Sequence, residues 1–147
     1  MAASSNSPIT SNLTWKGEHP MDGYYPEIYK LCGEFGKPIL LHIDPPYGYV
    51  IEKQEDATTA YSETNFIFAH ANAYNSPSNI ETLLKNYSNI YIDFFAGFTT
   101  YNSGSDYQLT GFIPLINKYP DRFIVNSDSG FDVGYDKANT AIYEFFD

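Results

Sequence analysis

The chain is short of cysteine, of basic residues and of long apolar runs. One cysteine, Cys32, excludes an intramolecular disulfide framework and a multi-cysteine zinc module, and it fits a reducing compartment. Lys and Arg total 8 against 18 Asp and Glu, a formal charge of −10. A surface that acidic repels phosphate backbones and anionic lipids, so neither nucleic acid nor a membrane is expected as a partner. The longest apolar runs, such as Pro38 to Leu41 and Phe66 to Ala69, fall far short of the ~20 residues of a membrane helix. Met1 to Asn12 are small and polar and lack the basic start and apolar stretch of a signal peptide. The expectation is a cytoplasmic protein with a flexible tail over residues 1–12 and a folded domain over 13–147. A Gly-rich phosphate loop, a nucleophile elbow and zinc-finger spacing are also missing.

What is present is enough apolar material for a core. Of 147 residues 43% are hydrophobic, and the aromatic share reaches 18% through 14 Tyr, 11 Phe and 1 Trp. Most of the tyrosines are expected at half-buried, amphipathic positions, although some could stack on a ligand. Pro26 in the first turn and Glu27 near the positive end of the dipole mark a helix start at Tyr25. Ile28, Leu31, Cys32 and Phe35 recur at helical spacing and predict its core-facing stripe, with Gly36 as its stop. Cys32 on that stripe reads as core rather than nucleophile.

A rhythm follows. Ile39 to Ile43 is an apolar run that suits a strand covered on both faces. Glu52 to Glu63 is a polar surface helix or excursion, and Asn65 to His70 a second strand. Ser78 is expected to cap a helix over Asn79 to Tyr87 with Glu81 as capping-box partner. Asn89 to Phe94 is a third strand, and Leu109 to Lys118 a helix that Pro114 could bend. Arg122 to Asp128 is a fourth strand, and Asp136 to Phe146 a last helix. Leu13 to Lys16 could add a short strand in front. Strands alternating with helices every ~25 to 35 residues define an α/β protein built from βαβ units.

His42, His70, Asp93 and Asp128 each fall at or near the C-terminal end of a predicted strand. In parallel α/β folds those ends converge on one face and carry the chemistry. Two imidazoles and a carboxylate brought together there suit a divalent metal such as zinc, which lowers the pKa of bound water and polarises a carbonyl. Each residue also has a plainer role open to it. A strand-end His can be satisfied by a backbone carbonyl, Asp128 can cap the turn of Asn126-Ser127-Asp128-Ser129-Gly130, and Asp93 can be structural or support another group. Asp44-Pro45-Pro46-Tyr47-Gly48 directly after His42 is a rigid turn that could line a pocket.

At these residues the chain resembles a family. Gly36-Lys37-Pro38-Ile39-Leu40-Leu41-His42, Phe66-Ile67-Phe68-Ala69-His70-Ala71, Asn89-Ile90-Tyr91-Ile92-Asp93 and Pro120-Asp121-Arg122-Phe123-Ile124-Val125-Asn126-Ser127-Asp128 look like the second half of an amidohydrolase-related protein. The likeness runs from about Tyr25 to Phe146. It implies a partial (β/α)8 TIM barrel of about four to five parallel strands with flanking helices, and a metal-dependent hydrolase or related decarboxylase acting on a small molecule. By the same resemblance His42 is a metal ligand. His70 binds a second metal or assists catalysis, and Asp128 touches the metal and accepts a proton from attacking water. No family role carries onto Asp93.

Departures from the family pattern matter equally. The first-strand His-x-His pair is absent, and the only other histidine is His19. Trp15-Lys16-Gly17-Glu18-His19 could be the remnant of the fourth barrel strand, where Lys16 or Glu18 would sit as ligand and His19 as a loop residue. Four or five strands cannot close into a barrel and leave two edges and an open apolar face. The expectation is a fragment that self-associates or needs a missing N-terminal half. The alternatives are a non-catalytic remnant, or an open, flavodoxin-like α/β domain that binds a small ligand.

Overall fold

The computed structural model describes residues 19–42, 51–73, 75–95, 107–126 and 135–146. Along them run α1 (Tyr25–Glu34), β1 (Ile39–His42), α2 (Ile51–Ala60), β2 (Phe66–Ala69), α3 (Pro77–Asn86), β3 (Ile90–Phe95), α4 (Leu109–Lys118), β4 (Phe123–Asn126) and α5 (Tyr135–Phe146). Short 3-10 turns at Ala71–Ala73 and Pro120–Arg122 follow β2 and precede β4. The four strands form one parallel sheet in the order β1-β2-β3-β4. The α/β class read from the rhythm is the class observed. The expected strand at Leu13 to Lys16 and the residues after Asn126 up to Asp128 lie outside the described residues.

Sequential parallel strands joined by right-handed connections carry their helices to one side of the sheet. The main core cluster lies on one face, although Ala69, Asp93 and Phe95 of the other face are buried too. Ile39, Leu41, Phe66, Phe68, Ile90, Ile92 and Phe94 point to the same face, where they pack with residues of α1, α2, α3 and α4. Alternation sends Leu40, Ile67, Tyr91, Asp93, Phe95 and Ile124 to the second face. There Leu40 is 51% and Ile124 42% exposed, so β1 is not covered on both sides as its apolar run predicts. A flavodoxin-like sheet needs a reversal of strand order, which the four described strands do not have. They also leave β1 and β4 as edges, so closure into a barrel is not seen among the described residues.

The first helix corrects its predicted stripe. Leu31 is 50% and Phe35 71% exposed, whereas Tyr25 and Tyr29 are buried, with Ile28 and Cys32 packed partly against the core. The tyrosines win because the Tyr29 hydroxyl has a partner: it donates to the Pro20 carbonyl at 2.8 Å while its ring meets Phe66 edge-on at 5.2 Å. Gly36 ends the helix as expected. It takes φ +58°, its N–H bonds the Gly33 carbonyl at 3.1 Å, and Lys37 N–H bonds the Cys32 carbonyl at 2.8 Å. That is the paired C-terminal bonding a left-handed glycine permits.

The third helix corrects its cap. Asn79 N–H donates to Ser76 Oγ at 3.1 Å, and Pro77 occupies the first turn. Ser76, not Ser78, is therefore the N-cap. Glu81 reaches no cap and instead meets Lys118 of α4 at 2.5 Å and Lys85 at 3.1 Å. Pro114 sits inside α4 without ending it.

The N-terminal end of the sheet is fastened by side chains reaching across. Asn89 Nδ2 donates to the carbonyls of Thr58, Tyr61 and Thr64 at 3.2, 3.2 and 3.0 Å. Arg122, which precedes β4 instead of opening it, donates to the Ile90 carbonyl through Nε and to the Tyr87 carbonyl through Nη2, both at 2.7 Å. No helix among the described residues is long and apolar enough to cross a membrane.

Candidate functional site

The opposite, C-terminal end of the sheet carries the polar groups. Register places His42 beside Ala69, Ala69 beside Asp93, and Asp93 beside Ile124, with Phe95 beside Asn126 two residues further on. The strand ends therefore bring His42, His70, Asp93 and Asn126 to one edge.

His70 follows β2 directly, and its backbone is unusual. It has φ +56°, and every other described residue with positive φ is a glycine. A residue with a Cβ avoids that region unless its surroundings impose it. Continued extension would have sent the His70 side chain to the helix-packed face. Instead the imidazole lies edge-on to Phe95, a residue of the Asp93 face, with centroids 6.3 Å apart and planes at 71°. The His70 N–H donates to the Asp93 carbonyl at 3.1 Å, which extends the β2–β3 ladder by one bond.

Asp93 is buried, as is His70. Its Oδ1 accepts a hydrogen bond from Asn126 Nδ2. A buried carboxylate needs such a donor to remain inside. Asn72, in the turn after His70, is wholly buried and bonds both the N–H and the carbonyl of Phe95. Neither Asn72 nor Asn126 stands out in the sequence, although Asn126 could have been flagged as the last residue of a strand beside one that carries Asp93.

His19 belongs elsewhere. Its Nδ1 accepts from Met21 N–H at 3.3 Å, and its Nε2 lies 3.8 Å from Asp56 of α2. This is the loop residue the sequence predicts. Of His42 the backbone alone is described, and Lys16, Glu18, the Asp44-Pro45-Pro46-Tyr47-Gly48 turn and Asp128 lie outside the described residues. Among the described residues no three His, Cys, Asp or Glu side chains are grouped to hold a metal. Cys32 is half-buried against the core.

No family model, curated protein or solved structure matches the chain.

Proposed function

We propose that this chain carries the second half of a (β/α)8 barrel of amidohydrolase type. Its reaction is hydrolysis of a C–N or C–O bond next to a carbonyl, or a related decarboxylation. The observation that supports this most is the register. His42, His70 and Asp93 occupy the same end of three adjacent parallel strands, the end at which such sheets hold reacting groups. The strand order and the one-sided helical layer suit a segment of a barrel wall.

Imidazole and carboxylate donors fit a borderline cation such as zinc. In this reading His42 and Asp128 would hold it, and His70 would assist. A divalent cation held there would lower the pKa of water and polarise a substrate carbonyl. The chain's own groups do the rest. His70 steadies negative charge on the carbonyl oxygen, Asp128 accepts the proton of the attacking water, and the hydrogen bond from Asn126 orients Asp93. The exposed Leu40 and Ile124 and the edges β1 and β4 suit a partner half, joined to this chain or separate, that supplies the remaining ligands.

Zinc titration of the full chain, followed at the imidazole resonances, tests the reading. The expected result is weak binding that moves the His42 and His70 signals and leaves His19 alone, with affinity cut at least tenfold by Asp128→Asn. An ester and amide panel run with zinc or manganese should give turnover near background for this chain by itself. Zinc that leaves both His42 and His70 unmoved would rule the reading out.

A further inference from the structure

The turn that leaves β2 holds a clamp with no part in the chemistry above. Asn72 donates through Nδ2 to the Phe95 carbonyl at 2.8 Å and accepts at Oδ1 from Phe95 N–H at 3.0 Å. A primary amide has one donor edge and one acceptor edge, as a peptide group has. The Asn72 side chain therefore stands beside the last residue of β3 as the backbone of a neighbouring strand would. Two residues earlier in the chain, His70 N–H is tied to the Asp93 carbonyl. Ala71 alone separates these two anchored residues, and Asn75 Nδ2 holds its carbonyl at 2.8 Å.

The left-handed conformation of His70 falls at this point. Strained backbone persists where the structure on both sides over-determines it. Here the preceding anchor is the last ladder bond and the following anchor is the Asn72 amide. Between them the chain must curl over the end of β3, and the curl turns the imidazole toward Phe95.

We propose that Asn72 is a positioning residue for His70: by pairing with both polar groups of Phe95 it holds the left-handed turn that places the imidazole edge-on to the Phe95 ring. The proposal rests on the reading of His70 as a functional group, and a test by ring geometry separates the two. It concerns orientation and needs no bound metal.

The experiment is side-chain NMR of the full chain. Three histidines make the imidazole signals assignable by single substitution. The wild-type chain should show a cross-peak between the His70 and Phe95 rings. Asn72→Ala removes both bonds. Asn72→Asp keeps the outline and the bond from Phe95 N–H but loses the donor to the carbonyl. The expected result is loss of the His70–Phe95 cross-peak in Asn72→Ala and a several-fold weakening in Asn72→Asp. The Tyr29–Phe66 cross-peak of the core should persist in both.

An unchanged His70–Phe95 cross-peak in either folded variant would overturn the proposal. So would loss of the Tyr29–Phe66 cross-peak in both variants, because Asn72 would then serve the fold at large. If zinc leaves both wild-type His42 and His70 unmoved, the hydrolase reading fails, and the ring cross-peaks still decide the role of Asn72.

Discussion

The His70 imidazole meets the Phe95 ring edge-on at 6.3 Å because the residue that carries it turns left-handed at the end of β2. Substitution there separates strain from contact. His70→Ala and His70→Gly both remove the imidazole, but alanine keeps a Cβ in a region that costs it ~1–2 kcal/mol. The glycine variant should therefore be the more stable of the two by about 1 kcal/mol in urea unfolding. The usual backbone-entropy preference predicts the reverse, ~0.5–1 kcal/mol in favour of alanine. Finding that reverse order would mean His70 is not held left-handed.

Gly33 lies where α1 crosses the residues before β2. A Cβ there would stand 2.9 Å from Thr64 Oγ1, which itself donates to the Tyr29 carbonyl at 2.7 Å and is buried. Helix propensity favours Gly33→Ala by ~1 kcal/mol. Overpacking of a short, bonded side chain opposes it with roughly 1–3 kcal/mol. Net destabilisation of about 1 kcal/mol is expected, turning into a gain when the same change is made beside Thr64→Ala. A double-mutant cycle in guanidinium measures the coupling, and additive effects would contradict the close approach.

The two serines flanking Pro77 should behave differently. Ser76→Ala removes the oxygen that accepts from Asn79 N–H and should cost ~1 kcal/mol. Ser78→Ala should stay within about 0.5 kcal/mol, as surface changes usually do. Thermal melts that rank the pair the other way would restore Ser78 as the cap.

Acid should release the Glu81 pair. Lys118, and after it Lys85, hold the Glu81 carboxyl below its ordinary value, and Glu81 raises Lys118 in turn. A carboxyl whose folded pKa is lowered stabilises the fold above its unfolded pKa and loses that contribution as pH falls through the folded one. The difference in melting temperature between the wild-type chain and Glu81→Gln should accordingly be small but positive at neutral pH. It should vanish in acid below the usual carboxylate range, and shrink in high salt because the pair is exposed. A difference that persists unchanged in acid would assign Glu81 a role other than its charge.

The order of helices and strands was legible in the sequence because apolar runs of four to six residues alternate with amphipathic stretches. The facing of α1 was harder to read. The predicted stripe and the observed one share Ile28 and Cys32, and what separates them is the Pro20 carbonyl that satisfies Tyr29, a contact from outside the helix. The cap of α3 was within reach, since a proline in the first turn calls for a capping residue directly before it. At the strand ends, the position of His70 followed from Phe66-Ile67-Phe68-Ala69. Its left-handed turn did not, because the Asn72 amide that frames it sits between two alanines in a stretch with no periodicity.

The two ends of this sheet are built for different burdens. Asn89 and Arg122 gather carbonyls from α2, the turn after it and the start of β3 at one end, while His70, Asp93 and Asn126 gather at the other. A library of random substitutions scored by yield of folded chain would be filtered at the first end. If the proposed reading holds, the same library scored by zinc binding would be filtered at the second. The knots at the first end would then keep the sheet intact while residues at the second vary, so stability and ligand choice would be tuned on separate sets of positions.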